Sequence, residues 1–462
     1  MSLNCTRDRR AEMSTMSQKI AQPGLPPTVS YLVRHGAMRY VGEFTTFSQA
    51  GFNRQQTVIL KTDRGQEVGG NWVFNDALGH SSVFETTHII SSKRFSQYED
   101  FPMPDDYPDY PSHKQLAAYF QAYARHFDLY RHIRFGTTVV RCEPLAGHRW
   151  RVTTYRDGEE QREDFDFLFV CNGHHSVPRM PSYPGTFSGR IVHSHDYKRA
   201  EPFRDQRVLV IGGGNSACDV AVETARVARR VDMSWRRGYR IIPKFVGGVP
   251  TDHIHDFIFN KLGFVPWRMR ARILEMGMNV YIGTNTAHGL QEPDHGFGET
   301  HPTLSSELLY FIRHGEIHPR VDIARFDGNT VHFVDGSSGE FDVVVACTGF
   351  TIAHSFFDRK LIDFSSGPVP LYLKMLHAEH PQLFFVGLFQ PLGCIWPAAE
   401  LQAKLAVQKM EGQWKAPEDL PAAIAHELEH PDVRQIETPR HTITVDYPVF
   451  RKKLLRALGR DD

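Results

Sequence analysis

The stretch from Arg207 to Gly238, RVLVIGGGNSACDVAVETARVARRVDMSWRRG, constrains the fold of this chain more than any other. It holds an apolar run, a glycine turn, a helical pattern, a second apolar run and two arginines. Gly212, Gly214 and Ala217 occupy the three small-residue positions of a dinucleotide turn. The first permits the tight turn, the second lets backbone approach a pyrophosphate, and the third lets helix and strand pack closely. Alone the motif is weak. Here it follows a strand-like run at 208–211 and opens a helix, which is the context it needs. Asn215 and Ser216 stand at the helix start, where free N–H groups and the positive dipole end favour phosphate. Asp219, on the same helix, joins them as a cofactor-binding candidate. The next apolar run, 231–235, ends in Arg236 and Arg237. An acid there would hydrogen-bond the ribose of NAD, whereas arginine accommodates the 2′-phosphate of NADP. These residues predict NADPH binding.

The 462 residues are enough for two or three domains and a sizeable core. Basic and acidic residues balance at 53 each, so nothing asks for nucleic acid or an anionic surface as partner. Six cysteines are scattered without a CxxC pair, which points to a reducing, cytoplasmic setting and away from disulfide exchange. The 25 histidines form no HExxH or similar cluster, and no metal centre is expected. The apolar stretch 383–399 is interrupted by Gly387, Gln390, Pro391, Gly393 and Pro397, so it reads as strand and loop rather than a membrane anchor.

Along the chain, 57–63 reads as a strand ending at Asp63, followed by Gly69, Gly70, Asn71 and Trp72. Leu116, Tyr119, Phe120 and Tyr123 give 112–126 helical spacing. Strands are expected at 134–144, 150–155 and 165–170 as a small meander, then at 331–334, 341–346 and 383–386, with a helix over 397–410. The segment 239–301 has no sharp motif, and its Phe, Met and Trp residues suggest an apolar pocket lining. Strands alternating with helices predict an α/β fold with parallel sheets. Four segments are expected: an aberrant or poorly ordered one at 1–50, the first part of a flavin domain at 51–200, an NADPH domain with an insertion at 201–330, and the rest of the flavin domain at 331–462.

The run Phe187-Ser-Gly-Arg-Ile-Val-His-Ser-His-Asp-Tyr197 fits FxGxxxHxxxY. With GGGNSA, VCNGHHSVPRMP, VVVACTGF and GLFQPLGCIWPAAELQAK, it makes the chain resemble the flavin-containing monooxygenases from about Val68 to Gln408. The resemblance implies two Rossmann-like domains, one for FAD and one for NADP, with the NADP domain inserted in the FAD domain. It implies FAD and NADPH as cofactors, with O2 and a small amine or thioether as substrates. Reduced flavin would form a C4a-hydroperoxide that oxygenates a soft N or S centre. By position, Asp63 would bind the FAD ribose. Gly69, Gly70, Asn71, Trp72 and Gln390 would line the flavin, and His193 and Tyr197 would shape the inter-domain linker.

Two departures stand out. The family's FAD fingerprint should lie about 20 residues before Asp63. The sequence there is HGAMRYVG, with Gly36 and Gly42 wrongly spaced and no apolar strand leading in. The loss is local and its flanks are intact, as a shifted reading frame would leave them. The second departure is Ile90, which stands where the family places its active-site Asn. His88 and Ser91 are the candidate catalytic substitutes. Besides N- or S-oxygenation, two other readings follow: Baeyer–Villiger oxygenation of ketones, and a non-catalytic NADP-binding remnant should the FAD site be lost.

Overall fold

The computed structural model describes residues 29–34, 41–46, 65–76, 81–261, 264–296, 299–365, 367–391, 393–433 and 442–460. A five-stranded sheet carries the nucleotide turn. Its order is Ile317–Arg320, Arg230–Ser234, Arg207–Ile211, Val343–Ala346 and Arg190–His193. All neighbouring strands run parallel. Such strands are buried on both faces and need continuous apolar side chains. Val208, Leu209, Val210, Val344 and Val345 are fully buried here. The helix Asn215–Ala225 covers one face with Ala217, Cys218, Val220 and Ala221. The other face packs Leu209, Ile211 and Val344 on Phe326, Phe333 and Phe341. The sheet thus draws strands from 190 to 346, a wider span than the 201–330 expected. The reason is that the strands before and after that segment close the sheet's second edge.

One buried polar group joins two of these strands. Asp232 is fully buried, accepts from Arg230 Nε at 2.6 Å, and accepts from Arg320 Nε on the neighbouring strand at 2.7 Å. Pairing with two guanidiniums offsets the desolvation of its carboxylate.

A second sheet has the order Leu371–Tyr372, Leu376–His377, Leu383–Phe385 and Leu168–Val170, the last two parallel. The expected meander is real but differently composed. Its strands are Thr138–Pro144, Trp150–Arg156 and Glu159–Phe165, whereas Leu168–Val170 leaves it for the second sheet. The charged run Glu159-Glu-Gln-Arg-Glu-Asp164 forms the third strand because it lies at an exposed sheet edge, where Arg151 pairs with Asp164 at 2.8 Å. In the segment at 1–50, Val29–Arg34 and Val41–Thr46 pair antiparallel with each other. The rest of that segment, and Asp63 with the strand expected before it, lie outside the described residues.

The helix His113–His126 begins as its sequence suggests. Ser112 and Gln115 form a capping box, and Leu116, Tyr119, Phe120, Tyr123 and Ala124 are buried. Their rings join Trp72 and Trp396 in an aromatic core. Replacing Ser112 by Ala is expected to cost about 1 kcal/mol, since it frees the N-terminal N–H groups. Thermal denaturation of the variant measures this. The segment 239–301 contains two helices, Thr251–Lys261 and Trp267–Ile282.

Candidate functional site

Three features meet around the edges of these sheets. The first is the nucleotide crevice. Ile211 pairs with Ser234, so the turn at Gly212–Gly214 and the segment Trp235-Arg236-Arg237 leave the same edge side by side. That edge, the carboxyl ends of parallel strands, is where open α/β sheets bind ligands. Gly212 has φ 122, and a Cβ on it would stand 2.5 Å from the Cys347 carbonyl oxygen. Gly214 caps the helix without a side-chain bond, so the first-turn N–H groups at Asn215 and Ser216 face the crevice. Arg236 is exposed and Arg237 half-exposed, and neither has a carboxylate within ion-pair distance among the described residues. Bare backbone, free N–H groups and two uncommitted guanidiniums fit a phosphorylated dinucleotide.

The Asn215 side chain is engaged elsewhere. Its Oδ1 accepts from Leu304 N at 2.7 Å, which leaves its backbone N–H for a phosphate. Asp219, on the same helix, is half-buried. Burial pushes its carboxyl up from 3.8 to about 6, with Lys244 opposing the shift. The folded state then holds a proton that the unfolded state has released. This group's contribution to stability is therefore greatest below 3.8 and falls as pH rises towards 6. An Asp219→Asn variant should lose that fall, measured as melting temperatures at about pH 4.5 and about pH 7.

The second feature lies at the carboxyl ends of Leu168–Val170 and Leu383–Phe385. Gly173 follows the first strand at φ 65 and Gly387 the second at φ 73. His174 Nε2 lies 3.2 Å from Gln390 Oε1 across this edge. The turn at Gly69–Trp72 is brought alongside: Asn71 Oδ1 accepts from Ser82 N at 2.5 Å, and Ser82 Oγ donates to His175 O at 3.4 Å. A Cβ on Gly69, at φ 130, would meet Val73 Cγ2 at 2.8 Å. Asn172 Oδ1 and Trp72 Nε1 are buried without a hydrogen-bond partner among the described residues. An orphaned acceptor and an orphaned donor beside a glycine turn fit the polar edge of a flavin ring. On this side, no counterpart of the Gly212–Gly214 cradle occurs among the described residues.

The third feature is a cavity of about 950 Å3 between the 239–301 segment and the residues Ile90, Ser91 and Gly393. Its walls are largely apolar, with Ile242, Ile254, Ile258, Ile273, Leu274 and Met278 from the insertion. The segment lines the pocket, but chiefly with Ile and Leu and with Met278 rather than with the Phe and Trp residues that its composition points to. Ile90 and Ser91 close one end, with Gly393 from the loop that follows Gln390. Ser91 is buried, and its Oγ lies 2.8 Å from Ser96 Oγ. His88 is exposed, with Nδ1 2.8 Å from Thr86 O, and is not among the residues lining the cavity. The two candidates thus part: Ser91 lines the cavity and His88 does not.

Residues without a sequence motif complete the walls. Asp252 accepts from Ser92 N at 2.6 Å, and Arg240 pairs with Glu275 at 2.7 Å. Burial holds the His255 imidazole below its ordinary value, so it is neutral at pH 7. Burial also pushes the Cys394 thiol up to about 12, so it is no nucleophile at that pH. The only sequence signal for Asp252 is its place in the first turn of a helix. His193 and Tyr197 serve the linker. His193 Nε2 donates to Gly349 O at 3.0 Å, and the buried Tyr197 ring stacks on Phe203 at 5.3 Å. Among the described residues no helix is long and apolar enough to cross a membrane, and no group of His, Cys, Asp or Glu could hold a metal ion.

The family model for flavin-binding monooxygenase-like proteins matches residues 59–461. Human flavin-containing monooxygenase 5 is 34% identical over 419 residues, covering 86% of this chain and 77% of its own. Mouse dimethylaniline monooxygenase [N-oxide-forming] 2 is 33% identical over 373 residues, covering 77% and 69%. Among solved structures, S-allyl-L-cysteine S-oxygenase from Allium sativum superposes with a TM-score of 0.64 at 22% identity, covering 88% of this chain and 83% of its own. Cyclohexanone monooxygenase in an open form also gives 0.64, at 17% identity, covering 87% and 93%. Both share the two-domain α/β fold. With its nucleotide crevice, its flavin-side edge and a match across most of its length, the chain belongs to the flavin-binding monooxygenase-like family.

Proposed function

We propose that this chain uses NADPH and FAD to insert one atom of O2 into a soft nitrogen or sulfur centre of a small, largely apolar molecule. Substrate, NADPH, a proton and O2 yield the N- or S-oxide, NADP+ and water. Bound flavin supplies the electron relay and the oxygen chemistry, and the protein supplies binding, orientation and exclusion of water. The observation that carries this reading is the apolar cavity between the insertion, Ile90–Ser91 and the loop that follows Gln390. The names of the mouse N-oxide-forming relative and the Allium S-oxygenase support the same chemistry.

In this reading Gly212, Gly214, Asn215, Ser216 and Ala217 cradle the NADPH pyrophosphate. Arg236 and Arg237 hold its 2′-phosphate. Gly69, Gly70, Asn71, Trp72 and Gln390 frame the flavin, and Asp63 binds its ribose. Ser91 offers the polar group at the cavity's flavin end, beside Ile90. The NADPH-binding unit extends to the strands at 190–193 and 343–346. Free cysteines at 142, 218, 347 and 394 support a reducing, cytoplasmic placement.

Product analysis tests the function. The purified protein, given NADPH, FAD and air, is offered methyl phenyl sulfide, N,N-dimethylaniline and cyclohexanone in parallel. The expected products are the sulfoxide and the N-oxide. A lactone as sole product, or NADPH oxidation with no oxygenated product, would overturn the proposal.

A further inference from the structure

Residues 301–306 touch the nucleotide turn, the cavity wall and Pro391. Thr303 Oγ1 is buried and donates to Gly213 O, within the nucleotide turn, at 2.8 Å. The next residue, Leu304, donates its N–H to Asn215 Oδ1 at 2.7 Å. These two bonds fasten the segment to the start of the nucleotide helix. On its other side, Thr303–Leu304 pairs in parallel with Ile241–Ile242. Thr303 N donates to Arg240 O at 3.0 Å and Ser305 N to Ile242 O at 2.9 Å. Arg240, Ile242, His301, Pro302 and Leu304 all line the cavity. His301 Nε2 also lies 3.3 Å from Pro391 O, next to Gln390.

We infer that Thr303 and the Asn215 side chain are positioning residues that fasten the cavity wall to the nucleotide turn, so that binding of the dinucleotide sets the shape of the substrate space. The inference rests on the reading of the cavity as the substrate site. The physical argument is short. Gly213 and Asn215 flank Gly214, where the backbone must let a pyrophosphate approach, and Asn215 adds a first-turn N–H. Their carbonyl and side-chain oxygens are bonded to adjacent residues of one short strand, and alternate side chains of that strand face the cavity. A shift of the turn on binding phosphate must therefore move or stiffen that wall. The two sites share a contiguous hydrogen-bonded connection, which is the physical form that coupling between sites requires.

Hydrogen exchange read by mass spectrometry, with NADP+ as the probe, tests the tie without turnover. In the natural chain NADP+ should slow exchange over 212–217 and also over 240–242 and 301–306. In Thr303→Val the slowing should stop at the turn and the arginine segment, and Thr303→Ser should restore it. Asn215→Ala and Asn215→Asp form an independent pair, because Asp keeps the acceptor and Ala removes it. That pair decides the matter should Thr303→Val fail to fold. Protection confined to the turn in the natural chain, or retained in both Thr303→Val and Asn215→Ala, would overturn the inference. Steady-state kinetics gives a second readout. Thr303→Val should raise the KM for methyl phenyl sulfide about tenfold and leave kcat and the KM for NADPH within about twofold, the scale of one lost buried hydrogen bond. A rise in the NADPH KM alone would count against it. If the natural chain forms no sulfoxide, the oxygenation reading fails while the exchange experiment still judges the tie.

Discussion

Replacing Arg236 and Arg237 together by alanine is expected to raise the KM for NADPH about 100-fold while changing that for NADH less than about threefold. Both arginines follow the strand Arg230–Ser234, which lies beside the strand that feeds the glycine turn. Neither forms a contact ion pair among the described residues, though the Asp294 carboxylate lies in the field of Arg237, so both can turn to a phosphate. A charge-assisted hydrogen bond contributes about 1.5–3 kcal/mol, less where solvent screens it. Two partly exposed guanidiniums sharing one phosphate therefore supply about 2.7 kcal/mol together, which is 100-fold. NADH lacks that phosphate and loses little. Initial rates with each nucleotide measure the ratio, and an equal loss for both would show that the arginines act on something other than the 2′-phosphate. The effect should shrink as ionic strength rises, since the side chains are open to solvent.

Gly212→Ala is expected to remove about 3 kcal/mol of stability and abolish nucleotide binding. Two costs combine. The backbone at φ 122 disfavours any side chain, and the added carbon would stand 2.5 Å from the Cys347 carbonyl oxygen. The obstacle is backbone rather than a side chain that could swing away. Cys347 itself is held by the bond from its N–H to Ile211 O at 2.8 Å. The two parallel strands must therefore part to make room. A change of about 3 kcal/mol should lower the melting temperature by roughly 6–12 °C for a unit of this size. Calorimetry reads that shift, and titration with NADP+ reads the binding. A variant that melts normally and binds NADP+ would refute the close approach at this turn.

The parts of the molecule that could be read from the chain are those where local pattern and tertiary role coincide. The strand, turn and helix at 207–225 are one such part, because each residue type answers a local geometric need. The helix at 113–126 is another, since its buried positions repeat at helical spacing and Ser112 caps it. Elsewhere tertiary context decides. Glu159–Phe165 reads as a charged loop but is a strand, because its side chains sit on an exposed edge. Ile323–Gly328 escapes notice because a register shift between Ile323 and Arg325 breaks the alternation of a strand. The helix Trp267–Ile282 is obscured by apolar residues on its outer side, with Met269, Met276 and Val280 all at least half-exposed. Of the site, the glycines and arginines carry local signatures. Asp252, Thr303 and His301 carry none, because their positions follow from how the 239–306 segment folds back on the turn. By chemistry His88 is the stronger candidate of the two, yet Ser91 is the one that lines the cavity.

The buried Asp232 carries a mechanical consequence for the coenzyme. It clasps Arg230 on its own strand and Arg320 on the next, so those strands cannot slide past each other without stranding a charge. The strand that carries the arginine pair is thereby riveted to its outer neighbour, 317–320, inside the sheet rather than by a surface loop. Whatever the two arginines grip pulls against a strand anchored from behind.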